Sequence, residues 1–199
     1  MPKATVAALA LALALLALAP QTRAADTQQF QHSIYQTALL EPVASVLKVK
    51  VGDPLPDFSL PATDGTRISR SDFLGRKKLV LSFIPAAWTP VCSGQWPGYN
   101  ILEDLFAAQD AALVGVSVDP TPSQHAWITQ MGGLWFPVVS DFWPHGVFAS
   151  ALGILRPEGI TERALLIADK QGIIRYIDVH NINTRPDLGK LMQALKSIP

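Results

Sequence analysis

The sequence predicts an α/β fold in which a central mixed β-sheet is flanked by helices on both faces. Over residues 50–199, short apolar runs with the length of buried strands alternate with helical segments. The last two runs are separated only by Asp169-Lys170-Gln171-Gly172, which is typical of a hairpin, and an amphipathic helix follows. Alternation favours parallel strands and the hairpin adds an antiparallel pair, so the sheet should be mixed.

The first elements of this domain are a hairpin and a buried strand. Asp64-Gly65 lies between Phe58–Leu60 and Thr66–Ile68, and an Asp-Gly pair between two such runs indicates a tight hairpin. Leu79–Phe83 is a short, almost wholly apolar run. Such a run is typical of a strand that is covered on both faces of its sheet.

A helix, a strand and a second helix come next. The first helix should extend from about Val91 to Gln109, with a kink or a break at Pro97-Gly98, because proline cannot continue the helical hydrogen bonds. Ala112–Val118 predicts the second buried strand. Thr121–Met131 predicts the second helix, since Pro122 fits its first turn and two glycines follow its end.

The last third of the chain supplies the rest of the sheet. Phe136–Val139 predicts a third strand, and a short helix should end near Leu152. Ala164–Ala168 and Ile173–Val179 form the predicted final hairpin. The terminal helix, Arg185–Ser197, presents leucines on one stripe that should face the core.

Composition excludes several classes of function. The chain has 199 residues, with 16 basic and 16 acidic side chains, and this balance argues against a nucleic-acid-binding protein. Its single cysteine rules out an intrachain disulfide, a CxxC pair and a cysteine-based zinc site. The histidines lack ligand spacing and no phosphate or dinucleotide motif is present, so neither a metal nor a cofactor is expected.

Residues 1–24 have the pattern of a signal peptide. A basic start precedes the 14 apolar residues Val6–Ala19, and small residues surround a cleavage point after Ala24. The apolar run is shorter than the ~20 residues that span a bilayer. We therefore expect export to the periplasm or beyond the cell, without stable membrane insertion after cleavage; an uncleaved membrane anchor is the alternative.

The rest of the chain divides into an N-terminal extension, residues 25–49, and the α/β domain, residues 50–199. The extension has apolar residues that predict a short helix broken by Pro42, and it contains no recognisable chemistry.

Cys92 lies where a helix would favour a thiolate. Exported proteins usually pair their cysteines, so an unpaired one is either an inert core residue or a functional thiol. Cys92 falls in the first turn of the helix that follows a buried strand, where unpaired N–H groups favour an anion. The helix dipole contributes only about 0.3–1 kcal/mol, so a nearby cation is needed as well.

The segment around this cysteine resembles the active-site motif of the peroxiredoxin family. Pro85-x-x-x-Thr89-x-x-Cys92 follows the apolar strand directly, and residues 159–175 resemble the arginine-bearing strand and hairpin of that family. Residues 140–146 are similar to the one-cysteine, alkyl hydroperoxide reductase E-type subgroup. The resemblance covers roughly residues 50–198 and implies a thioredoxin-like fold.

The resemblance also implies roles for four residues. Cys92 matches the peroxidatic cysteine, which attacks a hydroperoxide and becomes a sulfenic acid. Thr89 matches the hydroxyl that bonds the thiolate and the peroxide, and Pro85 matches the proline that shields the site. Arg163 matches the arginine that stabilises the thiolate and polarises the O–O bond.

Two positions depart from the family pattern. Trp88 stands where phenylalanine or tyrosine is usual and should shape the pocket mouth, and Gln95 replaces a glutamate that helps to orient the arginine. A second, resolving cysteine is also missing. The expected partners are therefore a hydroperoxide substrate and an external thiol or thioredoxin-like reductant, and a homodimer is a candidate assembly.

The resulting hypothesis is a thiol-dependent peroxidase that acts on hydrogen peroxide or organic hydroperoxides. One alternative is a redox-sensing module of the same fold, in which Cys92 forms mixed disulfides with a partner protein. Another is a hydrolase in which His145 serves as the base for Cys92.

Overall fold

The structure is a computed structural model that describes residues 29–199. The predicted signal peptide, residues 1–24, and the start of the extension lie outside the described residues. Residues 36–199 form one compact unit. Within the described part of the chain, no helix is both long enough and apolar enough to cross a membrane.

The predicted N-terminal hairpin is present. It comprises β1 (Ser59–Pro61) and β2 (Arg67–Ser69), which pair antiparallel with Leu60 opposite Ile68. Asp64 stabilises the turn because its side chain accepts a hydrogen bond from the Thr66 N–H at 2.9 Å.

The central sheet has five strands and mixed direction, as the sequence predicts. The strands are β3 (Lys78–Phe83), β4 (Ala111–Ser117), β5 (Val138–Ser140), β6 (Arg163–Ala168) and β7 (Ile174–His180). Their order across the sheet is β5-β4-β3-β6-β7. β3, β4 and β5 run parallel, whereas β6 and β7 form the antiparallel hairpin and β6 pairs with β3.

Five α-helices are distributed along residues 90–197. They are α1 (Pro90–Gly98), α2 (Glu103–Ala108), α3 (Thr121–Gln130), α4 (Val147–Leu152) and α5 (Leu188–Ser197). The long helix predicted after β3 is indeed split, since a 3-10 turn over Tyr99–Leu102 separates α1 from α2. The last helix begins later than Arg185, because the side chain of Asp187 caps it by accepting from the Lys190 N–H at 2.9 Å.

The core lies on both faces of the sheet. Leu81 and Phe83 belong to a large apolar cluster on one face, where the rings of Phe83 and Phe148 of α4 are 5.7 Å apart. On the opposite face, Ser82 accepts a hydrogen bond from the indole of Trp96 on α1 at 3.2 Å. The alternation of side chains along β3 thus sets α1 against the face opposite α4.

The N-terminal extension differs from the sequence prediction. Residues 29–33 are helical, but residues 35–50 contain neither helix nor strand, so the predicted helix broken by Pro42 is wrong. The physical reason is that backbone groups of residues 36–48 bond to the rest of the domain, and the bond from Ser45 to the Val43 carbonyl within the segment is too short in sequence to be helical. For example, Lys48 donates to the carbonyl of Leu152 at 3.0 Å.

Candidate active site

The register of the sheet brings three chain segments together at the same end of strands β3, β6 and β7. Phe83, the last residue of β3, pairs with Ala164, and Arg163 at the start of β6 pairs with His180 at the end of β7. The loop before α1, the first residue of β6 and the turn after β7 are therefore neighbours. The candidate site lies where these segments meet.

Cys92 occupies the first turn of α1. Thr89 is the N-cap residue and Pro90 is the first helical residue, an arrangement that proline favours because it lacks the N–H that would be unpaired there. The Ser93 N–H bonds to the Thr89 carbonyl at 2.9 Å, whereas the N–H groups of the first turn itself have no acceptor within the helix. The Cys92 side chain is only 1% exposed, so the helix N-terminus acts on it with little screening by water.

Arg163 provides the cation that the sequence argument requires. Its Nη2 lies 3.5 Å from the Cys92 Sγ atom, and the whole residue is 2% exposed. The carbonyl of Ile182, just beyond β7, accepts hydrogen bonds from Nε at 3.0 Å and from Nη2 at 2.9 Å. Nη1 donates to Oε1 of Gln95. Three sides of the guanidinium are therefore fixed by uncharged or thiol groups.

Among residues 29–199, no carboxylate forms an ion pair with this buried arginine. A buried charge without a counterion is costly, and a thiolate on Cys92 is the anion that the geometry offers it. The arrangement therefore places an uncompensated positive charge beside the sulfur of Cys92.

Gln95 is oriented by a network of uncharged groups. Its Nε2 donates to Ser82 Oγ at 3.2 Å and to the Tyr99 hydroxyl at 3.0 Å, which leaves Oε1 to accept from Arg163. Burial raises the pKa of Tyr99, and hydrogen bonds from Ser82 and Gln95 only partly oppose this effect, so the phenol stays neutral. Gln95 thus orients Arg163 without cancelling its charge.

Thr89 and Pro85 belong to the loop that leads from β3 into α1. The Thr89 hydroxyl donates to the Ala86 carbonyl at 2.9 Å, so its single hydrogen is not directed at Cys92. The Thr89 hydroxyl oxygen is consequently available to a bound peroxide as a hydrogen-bond acceptor. Pro85 is buried, and the carbonyl of the preceding Ile84 accepts from the Thr161 hydroxyl at 2.8 Å, which ties this loop to the start of β6.

Trp88 fixes the loop to the neighbouring helix. Its φ of 62° lies in the left-handed region, which is uncommon for a bulky residue and indicates local strain. The indole N–H donates to Ser123 Oγ on α3 at 3.1 Å, and the N–H of Ala87 donates to Asp119 at 2.8 Å. These bonds hold the loop that presents Thr89 and Cys92.

His145 is not brought to the cysteine. Its Nε2 lies 2.7 Å from the Gly159 carbonyl and its ring packs edge-on against Phe142. The hydrogen bonds of residues 29–199 include none between His145 and Cys92, so the geometry gives the hydrolase alternative no support. Nor do these residues hold a cluster of three or more histidine, cysteine, aspartate or glutamate side chains suited to a metal ion.

The structure adds groups that sequence reasoning missed. The Ile182 carbonyl holds Arg163, but a backbone acceptor leaves no signal in residue type. Ser82 and Tyr99 orient Gln95, and the only hint was a serine within an otherwise apolar strand. A buried polar residue in such a strand requires a partner, and that requirement would have pointed toward α1.

Comparison with protein families gives one match that covers most of the domain. The sequence model of the AhpC/TSA family matches residues 51–177. Alkyl hydroperoxide reductase E of Mycobacterium tuberculosis is 34% identical over 132 residues, which cover 66% of this chain and 86% of the relative. Thiol peroxidase of Streptococcus sanguinis is 35% identical over 152 residues, covering 76% of this chain and 91% of the relative.

Solved structures show the same fold. Peroxidoxin BcpB from Mycobacterium tuberculosis superimposes with a TM-score of 0.67 at 27% identity, covering 75% of this chain and 98% of that one. Mycobacterium tuberculosis AhpC gives a TM-score of 0.69 at 24% identity, with 75% of this chain and 92% of that chain covered. The thioredoxin-like peroxiredoxin architecture predicted from the sequence is thereby confirmed.

Proposed function

Because the chain belongs to the AhpC/TSA family of peroxiredoxins and is a thiol-dependent peroxidase, we propose that Cys92 is the residue that attacks the hydroperoxide. One observation carries this assignment: the only cysteine of the chain lies 3.5 Å from the buried guanidinium of Arg163. Such a cation favours a thiolate, and the thiolate is the nucleophilic form of cysteine.

In the first step the Cys92 thiolate attacks the terminal oxygen of ROOH. A sulfur–oxygen bond forms with an electron pair from sulfur, and the O–O bond breaks. The products are Cys92 sulfenic acid and an alkoxide, RO⁻, which takes up a proton to leave as an alcohol, or as water when the substrate is hydrogen peroxide. Sulfur is oxidised and the peroxide is reduced.

Charge moves onto the leaving oxygen during this step, and the site holds groups that stabilise it. Arg163 and the free N–H groups in the first turn of α1 are donors already in position, so they need no reorganisation. Thr89 Oγ1, whose hydrogen bonds to Ala86, accepts from the O–H of the substrate and orients it. To Pro85, which is buried in the loop before α1, we assign the role of shielding the site.

The second step requires thiols from outside the chain. Since the chain has no other cysteine, an external thiol attacks the sulfenic acid, releasing water and leaving a mixed disulfide on Cys92. A second thiol then displaces Cys92 as thiolate and forms a disulfide with the first. Overall, two thiols are oxidised for each hydroperoxide reduced.

Peroxide consumption by the purified chain with dithiothreitol tests the assignment. The wild type should consume peroxide with one dithiothreitol oxidised per peroxide, and Cys92→Ser should fall to the uncatalysed rate while retaining the wild-type melting temperature. Full activity in Cys92→Ser would overturn the assignment. Formation of a disulfide with a partner protein, without turnover by dithiothreitol, would instead favour the redox-sensing alternative.

We also propose that the chain is exported, on the evidence of the basic start and apolar run within residues 1–24. Expression of the full chain followed by fractionation and N-terminal sequencing tests this. A mature product outside the cytoplasm that begins at Ala25 supports the proposal, and a full-length product in the cytoplasm contradicts it.

A further inference from the structure

Residues 36–48, here called the arm, make paired contacts with a turn that holds Arg163. The N–H of Leu40 donates to Oδ1 of Asn183 at 3.0 Å, and Nδ2 of Asn183 donates back to the carbonyl of Leu40 at 2.8 Å. The side-chain amide of Asn183 thus accepts from, and donates to, the backbone of Leu40. This pairing fixes the arm to the segment that follows β7.

The turn at Asn183 supplies the acceptor for the arginine. The Thr184 N–H bonds to the Asn181 carbonyl at 3.0 Å, which closes a turn over residues 181–184. Within it, the Ile182 carbonyl accepts from Arg163, while the N–H of the same peptide unit donates to Oδ1 of Asn181 at 2.9 Å. A movement of Asn183 therefore rotates the peptide group that holds Arg163.

A second group of arm contacts reaches the residue next to Arg163 in sequence. Glu162 is 3% exposed, and its Oε1 accepts from the Ser45 hydroxyl at 2.6 Å. Both carboxylate oxygens also lie 3.3 Å from Nη1 of Arg156, whose Nη2 donates to the Glu41 carbonyl at 2.8 Å. The arm thus covers a buried ion pair and satisfies part of it, at a place where unpaired groups are costly.

The arm is held by these hydrogen bonds more than by packed side chains. Leu39 is 80% exposed, and a cavity of about 300 Å³ lies between residues 43–48 and the segment from Ser150 to Pro157. The backbone of the arm comes close to that of the domain at Gly153, where a Cβ atom would lie 2.7 Å from the Lys48 nitrogen. The hydrogen bonds of Leu40 and Ser45 are therefore directed at Asn183 in the turn after β7 and at Glu162, the residue before Arg163.

We propose that the arm positions Arg163 for the reaction of Cys92, with Leu40 acting through the Ile182 carbonyl and Ser45 through Glu162. The inference rests on the proposed role of Arg163. The arm residues are positioning residues, because none of them touches the thiol. When the arm contacts are lost, Arg163 and Cys92 are still present, but their relative position is no longer fixed. The rate of such a reaction is sensitive to that position.

The test compares full-length variants in a single-turnover reaction with hydrogen peroxide. Asn183→Ala removes both bonds to Leu40, and since a displacement of about 1 Å can cost about 100-fold in rate, we expect the oxidation of Cys92 to slow by about tenfold. Ser45→Ala, which leaves the turn intact, should cause a smaller loss in the same direction. Leu39→Ala, an exposed change in the same segment, should react at the wild-type rate.

Making the same change in an Arg163→Lys chain separates an effect on the position of Arg163 from a general loss of stability. In Arg163→Lys, the added Asn183→Ala change should cause no further loss of rate, although it should lower the melting temperature as much as it does alone. An equal loss of rate in both backgrounds would overturn the proposal. So would a wild-type rate in Asn183→Ala and in Ser45→Ala. A wild-type chain no faster than free cysteine would refute the proposed function instead.

Discussion

Arg163 carries its charge in the interior with a thiol, an amide oxygen and a backbone carbonyl around it. A carboxylate in the position of Gln95 would share the guanidinium with Cys92 and neutralise much of it. The amide of Gln95 still accepts a hydrogen bond from Arg163 but has no charge of its own. The positive charge of Arg163 therefore acts on the sulfur of Cys92. The departure of Gln95 from the family pattern therefore strengthens the interaction on which the proposed chemistry depends.

Replacing Arg163 with lysine tests how much of the effect depends on geometry. A single ammonium keeps the charge but cannot reach Cys92, Gln95 and Ile182 together, since it lacks the planar fork of the guanidinium. We expect the reaction of Cys92 with hydrogen peroxide to slow by about 100-fold, as when one preorganised donor is removed from an active site.

The measurement is the single-turnover rate followed by tryptophan fluorescence. Arg175→Lys is the matched control, because that arginine pairs with Asp169 on the last hairpin and does not contact Cys92. A wild-type rate in Arg163→Lys would show that charge alone is sufficient.

At this scale, the sequence is informative where residue types carry the signal. The spacing of Pro85, Thr89 and Cys92 indicates the site, and the resemblance pointed to Arg163, which the structure places beside the sulfur. The Ile182 carbonyl could not be predicted, because every residue has such a group. The direction of the Thr89 hydroxyl depends on the loop conformation, which the residue types do not fix.

Among the elements, α1 depends on one close contact with the sheet. Gly115 on β4 faces the indole of Trp96, and a Cβ atom there would lie 2.9 Å from the ring. Trp96 also donates to Ser82 and packs in a tilted arrangement against Trp127 of α3, with ring centroids 5.3 Å apart, so it cannot retreat easily. The absence of a side chain at residue 115 sets how closely the helix that carries Cys92 approaches the sheet.

We therefore expect Gly115→Ala to lower the free energy of unfolding by about 1–3 kcal/mol, the usual cost of overpacking a core. Oxidation of Cys92 should slow as well, because α1 must shift. Urea unfolding measures the stability. Gly98→Ala is the matched control, since nothing lies within 4 Å of its Cβ position and its backbone is already helical; it should be neutral or slightly stabilising. Equal stability of Gly115→Ala and wild type would refute the packing argument.

The turn of the last hairpin depends on a buried carboxylate. Burial raises the pKa of Asp169, but hydrogen bonds from the Ile173 and Gln171 N–H groups and the ion pair with Arg175 outweigh that effect and leave it below the usual value. A carboxyl group with a lowered pKa in the folded state stabilises the protein above its unfolded pKa, and this contribution disappears as the pH falls through the folded pKa.

Asp169→Asn should accordingly lower the free energy of unfolding by about 1–3 kcal/mol at neutral pH, because charge-assisted hydrogen bonds are lost. The difference from wild type should shrink as the pH is lowered below about 4, where the unfolded carboxylate becomes protonated. Urea unfolding at several pH values measures it. Asp57→Asn, at an exposed ion pair with Arg70, should change little at any pH. A difference for Asp169→Asn that is independent of pH would contradict the account.

Elements were predictable where a local rule governs them. Pro97 and Gly98 indicated the break after α1, and the Asp-Gly pair at residue 64 indicated the first hairpin. The arm was not predictable, because its backbone bonds to Leu152 and Asn183, residues more than a hundred positions away in the chain. Apolar periodicity there suggested a helix that tertiary contacts override.

At the scale of the whole molecule, the order of the strands explains why the candidate site lies at one end of the central strands β3 and β6. β3 and β6 are adjacent and antiparallel, so the end of one lies beside the beginning of the other. The mixed sheet could be predicted from the order of elements, but its strand order is known only from the structure. A homodimer stays a prediction, which sedimentation of the purified chain would test.

The central claim is that Cys92, held by α1 and Arg163, is a peroxide-reactive thiol. The most direct test mixes the full chain with one equivalent of hydrogen peroxide, follows tryptophan fluorescence in time and determines the intact mass. We predict a gain of one oxygen atom on Cys92 at a rate that exceeds free cysteine by more than the roughly 30-fold that ionisation alone provides at neutral pH. A rate within that limit, or no oxygen on Cys92, would contradict the claim.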